Sequence, residues 1–127
     1  MSHFTTIITQ IKDITALHSA CAELKLPLLQ KANARGYSGQ TRKGDHVIQL
    51  NGPYDIAVNR QPDGTYGLTT DWWQGHVEKE VGSNFGKLLQ LYGVHKATAE
   101  ARRKGFSVLR QPQRNGHIKL VLLGGAA

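Results

Sequence analysis

Gly39-Gln40-Thr41-Arg42-Lys43-Gly44 has the two-glycine spacing of a phosphate-binding loop. Asp45 and His46 follow, however, where such a loop needs the Lys and the Ser or Thr that reach phosphate and magnesium. Successive backbone N–H groups flanked by Arg42 and Lys43 can still form an anion nest, with a plain flexible loop as the simpler expectation. Six histidines (His3, His18, His46, His76, His95 and His117) invite a metal reading, but no two are spaced three or four residues apart and Cys21 has no companion thiol. No standard zinc pattern results, and no metal or cofactor is expected. Ser38 and Ser83 lack a nucleophile-elbow setting, and scattered carboxylates are no acid–base pair. The chain therefore reads as a binding protein rather than an enzyme.

Asp71-Trp72-Trp73-Gln74-Gly75-His76 carries more information. If Trp72 continues a strand, neighbouring tryptophans point to opposite faces, so one can anchor the core while the other stays at an edge to pack on a partner or stack on a base; the equal alternative is that both rings cover the core where the strand leaves the sheet. A second feature is charge. Sixteen Lys plus Arg against nine Asp plus Glu leave +7 over 127 residues. From His95 to Lys119, seven of those cations (Lys96, Arg102, Arg103, Lys104, Arg110, Arg114 and Lys119) face the single acid Glu100. Such a region can meet nucleic acid, an anionic membrane or an acidic protein, and charge alone does not choose among them.

The elements that position these residues follow from periodicity. His3 to Lys12 reads as a strand, Asp13 caps a helix from Ile14 that Pro27 ends, and Leu28 to Ala34 is a second strand. Arg35 to Asp45 reads as a Gly-rich loop. His46 to Leu50 and Tyr54 to Val58 pair around Asn51-Gly52-Pro53, and Thr65 to Trp72 adds a third member of the meander. A helix from the Ser83 cap to about Lys104 carries Phe85, Leu88, Leu89, Tyr92, His95 and Ala99 on one stripe, with Gly105 as its stop. His95, one turn after Tyr92, reads as a core histidine or a buried switch. Phe106 to Arg110 and His117 to Leu122 close as a hairpin across Asn115-Gly116.

The expectation is one domain over residues 1–127, an α+β two-layer sandwich. Both helices pack on one face of an antiparallel or mixed sheet, with a ferredoxin-like topology as the first expectation, and the other face is left open. With 39% hydrophobic residues, no run of 18 apolar residues and no basic-then-apolar start, the setting is cytosolic or stromal. A lone Cys21 within the first helix reads as a small buried hydrophobe.

Several landmarks in order, namely Met1 to Ile7, Arg35-Gly36-Tyr37 with Gly39-Gln40, Tyr54-Asp55-Ile56 with Arg60, Asp63-Gly64-Tyr66, Asp71-Trp72-Trp73, and Tyr92 with His95-Lys96, resemble the ycf thirty-five family of cyanobacteria and red-algal plastids, also called domain of unknown function 1257. The resemblance implies a photosynthetic-lineage setting or a virus of such a host, and supplies no catalytic residues. The stretch after Trp73 is longer and more charged than that pattern, and the ending Gly124 to Ala127 is apolar. The expected role is an accessory or assembly protein that docks a protein partner through Arg35, Tyr37, Arg42, Lys43, Trp72 and Trp73. The alternative is nucleic-acid binding through Arg102, Arg103, Lys104, Arg110 and Arg114. A homo-oligomer is compatible with either.

Overall fold

A computed structural model of the chain describes residues 3–125. Strands β1 (Thr5–Ile8), β2 (Leu28–Arg35), β3 (Thr41–Ile48), β4 (Ile56–Arg60) and β5 (Tyr66–Thr70) form one antiparallel sheet in the order β1-β5-β4-β3-β2. That order is a meander with β1 added beside its last strand, in place of the split β-α-β order of a ferredoxin-like sheet. Helix α1 (Ile14–Glu23) lies between β1 and β2. A short α2 (Glu78–Val81) and the long α3 (Gly86–Arg103) follow the meander, and β6 (Phe106–Pro112) with β7 (Ile118–Gly124) makes a separate two-stranded ribbon.

The α+β class and the antiparallel sheet are as the sequence implies. Asp13 caps α1 by accepting the Ala16 N–H at 3.1 Å, and Lys25 ends it with φ of 60°, the left-handed stop usually given to glycine. Strand β1 is shorter than the predicted His3–Lys12. Thr9 turns the chain away from the ladder, its hydroxyl donating to Tyr66 O and accepting from Ile11 N–H. The start of α3 also differs. Ser83 makes no cap hydrogen bond, and Gly82, Asn84 and Phe85 all have positive φ, so the helix begins three residues later. Phe85 tolerates this because its ring is fully buried against Trp72, 4.7 Å between centroids.

The core lies between the two long helices and the sheet. Leu17, Ala20 and Cys21 of α1 and Leu88, Leu91 and Tyr92 of α3 meet Ile48, Ile56, Val58 and Leu68. The predicted stripe on α3 is incomplete: Leu91, Val94 and Ala101 are buried while Ala99 is exposed. The cause is that α3 packs against α1 on one side and β6 on another, so one stripe does not describe its buried surface. Burial pushes the Cys21 thiol up to about 12, which makes it a packing group rather than a nucleophile.

The outer face of the sheet is not open at its centre. Val47 and Ala57 alternate with the inward Ile48, Ile56 and Val58, yet both are buried, packed with Ala32 and Ala34. The β2–β3 hairpin bends back over them as an arm, at Lys31 with φ of 47° and at Gly44, where a Cβ would run into the His46 carbonyl and lie 3.3 Å from Ala57 Cα. The arm reaches the far side of the sheet, where Gly36 abuts the Phe4 ring just before β1 and Arg42 sits 5.1 Å over that ring. Residues 41–45, read as loop, belong to β3. Their one glycine, Gly44, serves close approach and not flexibility.

One side-chain hydroxyl ties α3 to the start of α1: Tyr92 Oη accepts the N–H groups of Lys12 and Asp13 at 3.2 and 3.1 Å. Tyr92→Phe leaves both donors without that acceptor, and urea unfolding of this variant is expected to show a loss of about 1–2 kcal/mol.

Candidate functional site

The arm and the turns below it assemble one end of the molecule around two buried carboxylates. Asp55, with its side chain only 4% exposed, forms a two-pronged pair with Arg35, Nε to Oδ2 at 2.8 Å and the terminal nitrogen to Oδ1 at 2.8 Å. It also accepts the backbone N–H of Arg35 at 2.9 Å and of Leu50 at 3.1 Å. The same guanidinium donates to the carbonyls of Leu50 and Gly52. Asp55 N–H in turn donates to Arg35 O. Glu80, from α2, grips the loop from the other side by accepting the N–H groups of Asn51 and Gly52 at 2.8 and 3.0 Å. The Asn-Gly-Pro stretch is therefore a seven-residue clasped connection between Ile48 and Ile56, and no tight hairpin forms there.

Asp71 is fully buried and accepts the backbone N–H of Tyr37 at 3.3 Å through one oxygen and of Trp73 at 3.0 Å through the other. One carboxylate thus fixes a residue of the arm and a residue of the turn after β5. The strand ends at Thr70, so Trp72 and Trp73 part company by a turn and not by strand alternation. Trp72 packs inward on Phe85 and Trp73 faces out. Tyr37 and Trp73 are 38% and 37% exposed and meet edge to face, 5.8 Å between centroids at 63°. Beside them the Tyr54 and His76 rings form a second edge-to-face contact at 5.5 Å.

Of the residues proposed for docking, Arg35, Tyr37, Trp72 and Trp73 converge at this end. Arg42 lies apart on Phe4, and Lys43 lines a surface hollow of about 630 Å³ with Lys31, Gly44, Asp45 and Asn59. The phosphate-loop spacing comes to nothing geometrically, since Gly39 closes a turn and Arg42 to Gly44 run in a strand with no helix behind them. Glu80 left no local signal in the sequence, because its partners lie 28 and 29 residues away.

Apart from this cluster, Arg102, Arg103 and Lys104 are exposed at the close of α3, whereas Arg114 is exposed in the β6–β7 turn, which lies beside the start of α3, where Gln90 donates to Gly116 O at 3.0 Å. Arg110 is committed elsewhere, to Glu23 at 2.9 Å, and His95 meets the other oxygen of Glu23 at 2.7 Å. His95 is thus half-buried in a polar contact, neither a core histidine nor a sealed switch. Among the described residues, no three His, Cys, Asp or Glu side chains gather as a metal site, and no helix is long and apolar enough to cross a membrane.

The family model described as a protein of unknown function, DUF1257, matches residues 20–121, a span that contains both carboxylate clasps and the whole basic region from His95 to Lys119. The chain belongs to the DUF1257 family. It is 32% identical over 126 residues to an uncharacterised ycf35 protein of Guillardia theta and 29% identical over 126 residues to one of Pyropia yezoensis. In both cases 96% of each chain is covered. No solved structure gives a significant match. The landmarks Arg35-Gly36-Tyr37, Tyr54-Asp55-Ile56 and Asp71-Trp72-Trp73 that carried the resemblance are the ones the DUF1257 fold brings together.

Two measurements test these contacts. Asp55→Ala leaves the buried Leu50 N–H and the Arg35 guanidinium without their acceptor, and chemical unfolding is expected to show a loss of roughly 3 kcal/mol. The Arg110 hydrogen bond, against opposing burial and with help from His95, holds the Glu23 carboxyl below its ordinary value of 4.5. The folded chain therefore binds fewer protons there than the unfolded one. This contribution to stability is complete above the ordinary value and fades as pH falls through the lower folded value. NMR titration of the Glu23 carboxyl in an Arg110→Gln variant is expected to move it back up.

Proposed function

We propose that this protein is a non-enzymatic accessory protein that docks a protein partner through the arm-tip surface of Tyr37, Trp73 and Arg35, with Trp72 as its buried support. Arg42 and Lys43 are further along the arm and belong to the edge of the docking area at most. The observation that carries the reading is the use of one buried carboxylate, Asp71, to hold two exposed aromatic residues in fixed relation. Large rings held rigid at the surface are interface anchors, because little side-chain freedom is lost when a partner covers them.

The acids nearest this surface support a binding role over a catalytic one. Asp55 is occupied by four hydrogen bonds and Glu80 by the loop it grips, and a general acid or base needs an unoccupied proton site within reach of a substrate. Arg35 is similarly occupied by Asp55 and two carbonyls, so it contributes shape and a neutralised flank.

The test is quantitative capture of partners from a lysate of the source organism by wild-type and Trp73→Ala protein, after nuclease treatment and a high-salt wash, followed by affinity measurement with the purified partner. Trp73 is exposed, so the variant is expected to keep its melting temperature and to lose more than about 1 kcal/mol of binding free energy. Equal affinity of the two proteins overturns the role of Trp73. Retention of nucleic acid alone, lost as salt rises, replaces the reading with the alternative centred on Arg102, Arg103, Lys104, Arg110 and Arg114.

A further inference from the structure

The β6–β7 ribbon carries a surface that the docking end does not explain. Its register pairs Ser107 with Leu123, Leu109 with Val121 and Gln111 with Lys119 on one face. Ile118, on the other face, packs against the core, so the first face is turned outward. Leu109 and Leu123 are 47% and 53% exposed there, and the adjacent Leu122 is 48% exposed. No acid lies anywhere between Phe106 and Gly124.

The charge around these leucines is available as well as dense. The only acid from His95 to Lys119 is Glu100, which Lys96 engages at 3.0 Å, and Arg110 is engaged by Glu23. Arg102, Arg103, Lys104, Arg114 and Lys119 make no direct ion pair among the described residues. The first three run through Gly105 into Phe106, which pairs with Gly124, so they stand at the base of the ribbon beside Leu122 and Leu123. Lys119 lies on the leucine face itself.

We infer that this ribbon is a docking surface for an anionic lipid bilayer. The leucines enter the boundary between headgroups and acyl chains while the surrounding cations meet lipid phosphates. Apolar insertion and a basic surround are the two signals that together give stable peripheral attachment, and neither alone suffices. A nucleic acid rewards the cations but offers exposed leucines nothing. The residues that attach are distinct from Arg35, Tyr37 and Trp73 of the arm-tip surface.

The test is co-sedimentation of the full chain with phosphatidylcholine vesicles containing about one third phosphatidylglycerol, against pure phosphatidylcholine vesicles. Binding is expected to the anionic vesicles only. It is expected to weaken about tenfold or more in a Leu109→Ser, Leu123→Ser double variant and in an Arg102→Gln, Arg103→Gln, Lys104→Gln triple variant. All five positions are exposed, so circular dichroism is expected to show both variants folded. A Leu123→Trp protein gives a second readout, a blue shift of its fluorescence over that of the parent when anionic vesicles are added. Trp73→Ala is expected to sediment like wild type, which separates this surface from the arm tip. The inference is overturned if wild type ignores anionic vesicles, if the leucine variant binds as wild type does, or if a duplex oligonucleotide is retained where vesicles are not.

Discussion

A buried carboxylate closes the fold. With its side chain almost sealed from water, Asp55 has to find its hydrogen bonds inside the protein, because an uncompensated charge there costs several kcal/mol. It finds them in two segments at once: Arg35 at the end of β2, through both its backbone and its side chain, and the Leu50 loop. The asymmetry of the pair matters, because Arg35 is about half exposed and remains hydrated when unpaired while Asp55 does not. Everything beyond the clasp inherits its position from it. The arm lies over Val47 and Ala57, its tip meets Asp71, and Tyr37 meets Trp73 only because the end of β2 is pinned beside the start of β4.

The surface thus carries two regions of different character. One is aromatic, with its acids Asp55, Asp71 and Glu80 and its Arg35 consumed by structure. The other is basic, with leucines exposed and most cations unpaired. The ribbon touches the rest of the chain mainly through α3, and the arm tip touches it through Phe4 just before β1, Asp55 just before β4 and the turn after β5. The two regions share no hydrogen-bond or ion-pair partner among the described contacts, so changes in one are expected to leave the other in place.

Much of this was legible in the sequence where local physics decides. Asp13, the apolar spacing of α1, Gly105 and the ribbon turn at Asn115-Gly116 were each readable from a cap, a period or a turn signal, and each stands as read. What misled was glycine. Gly36, Gly39 and Gly44 suggested a mobile loop, whereas Gly36 and Gly44 admit another part of the chain at close range and only Gly39 serves a turn. The sequence left open whether one or both of Trp72 and Trp73 cover the core; the division into one inner and one outer ring comes through Asp71 turning the chain rather than through strand alternation. Contacts such as Glu80 with Asn51, or His95 and Arg110 with Glu23, join residues far apart in the chain and leave no periodic trace.

The bend at Lys31 has a further consequence for how the protein behaves in a crowded solution. The β2 strand is the last of its sheet and, drawn straight, would offer a row of free backbone groups as a template for the sheet of another molecule. A left-handed residue partway along it, bearing a lysine, breaks that row and puts a charge in the path of an incoming strand. The fold that builds the arm thereby also guards one of its two sheet margins against fibrillar association.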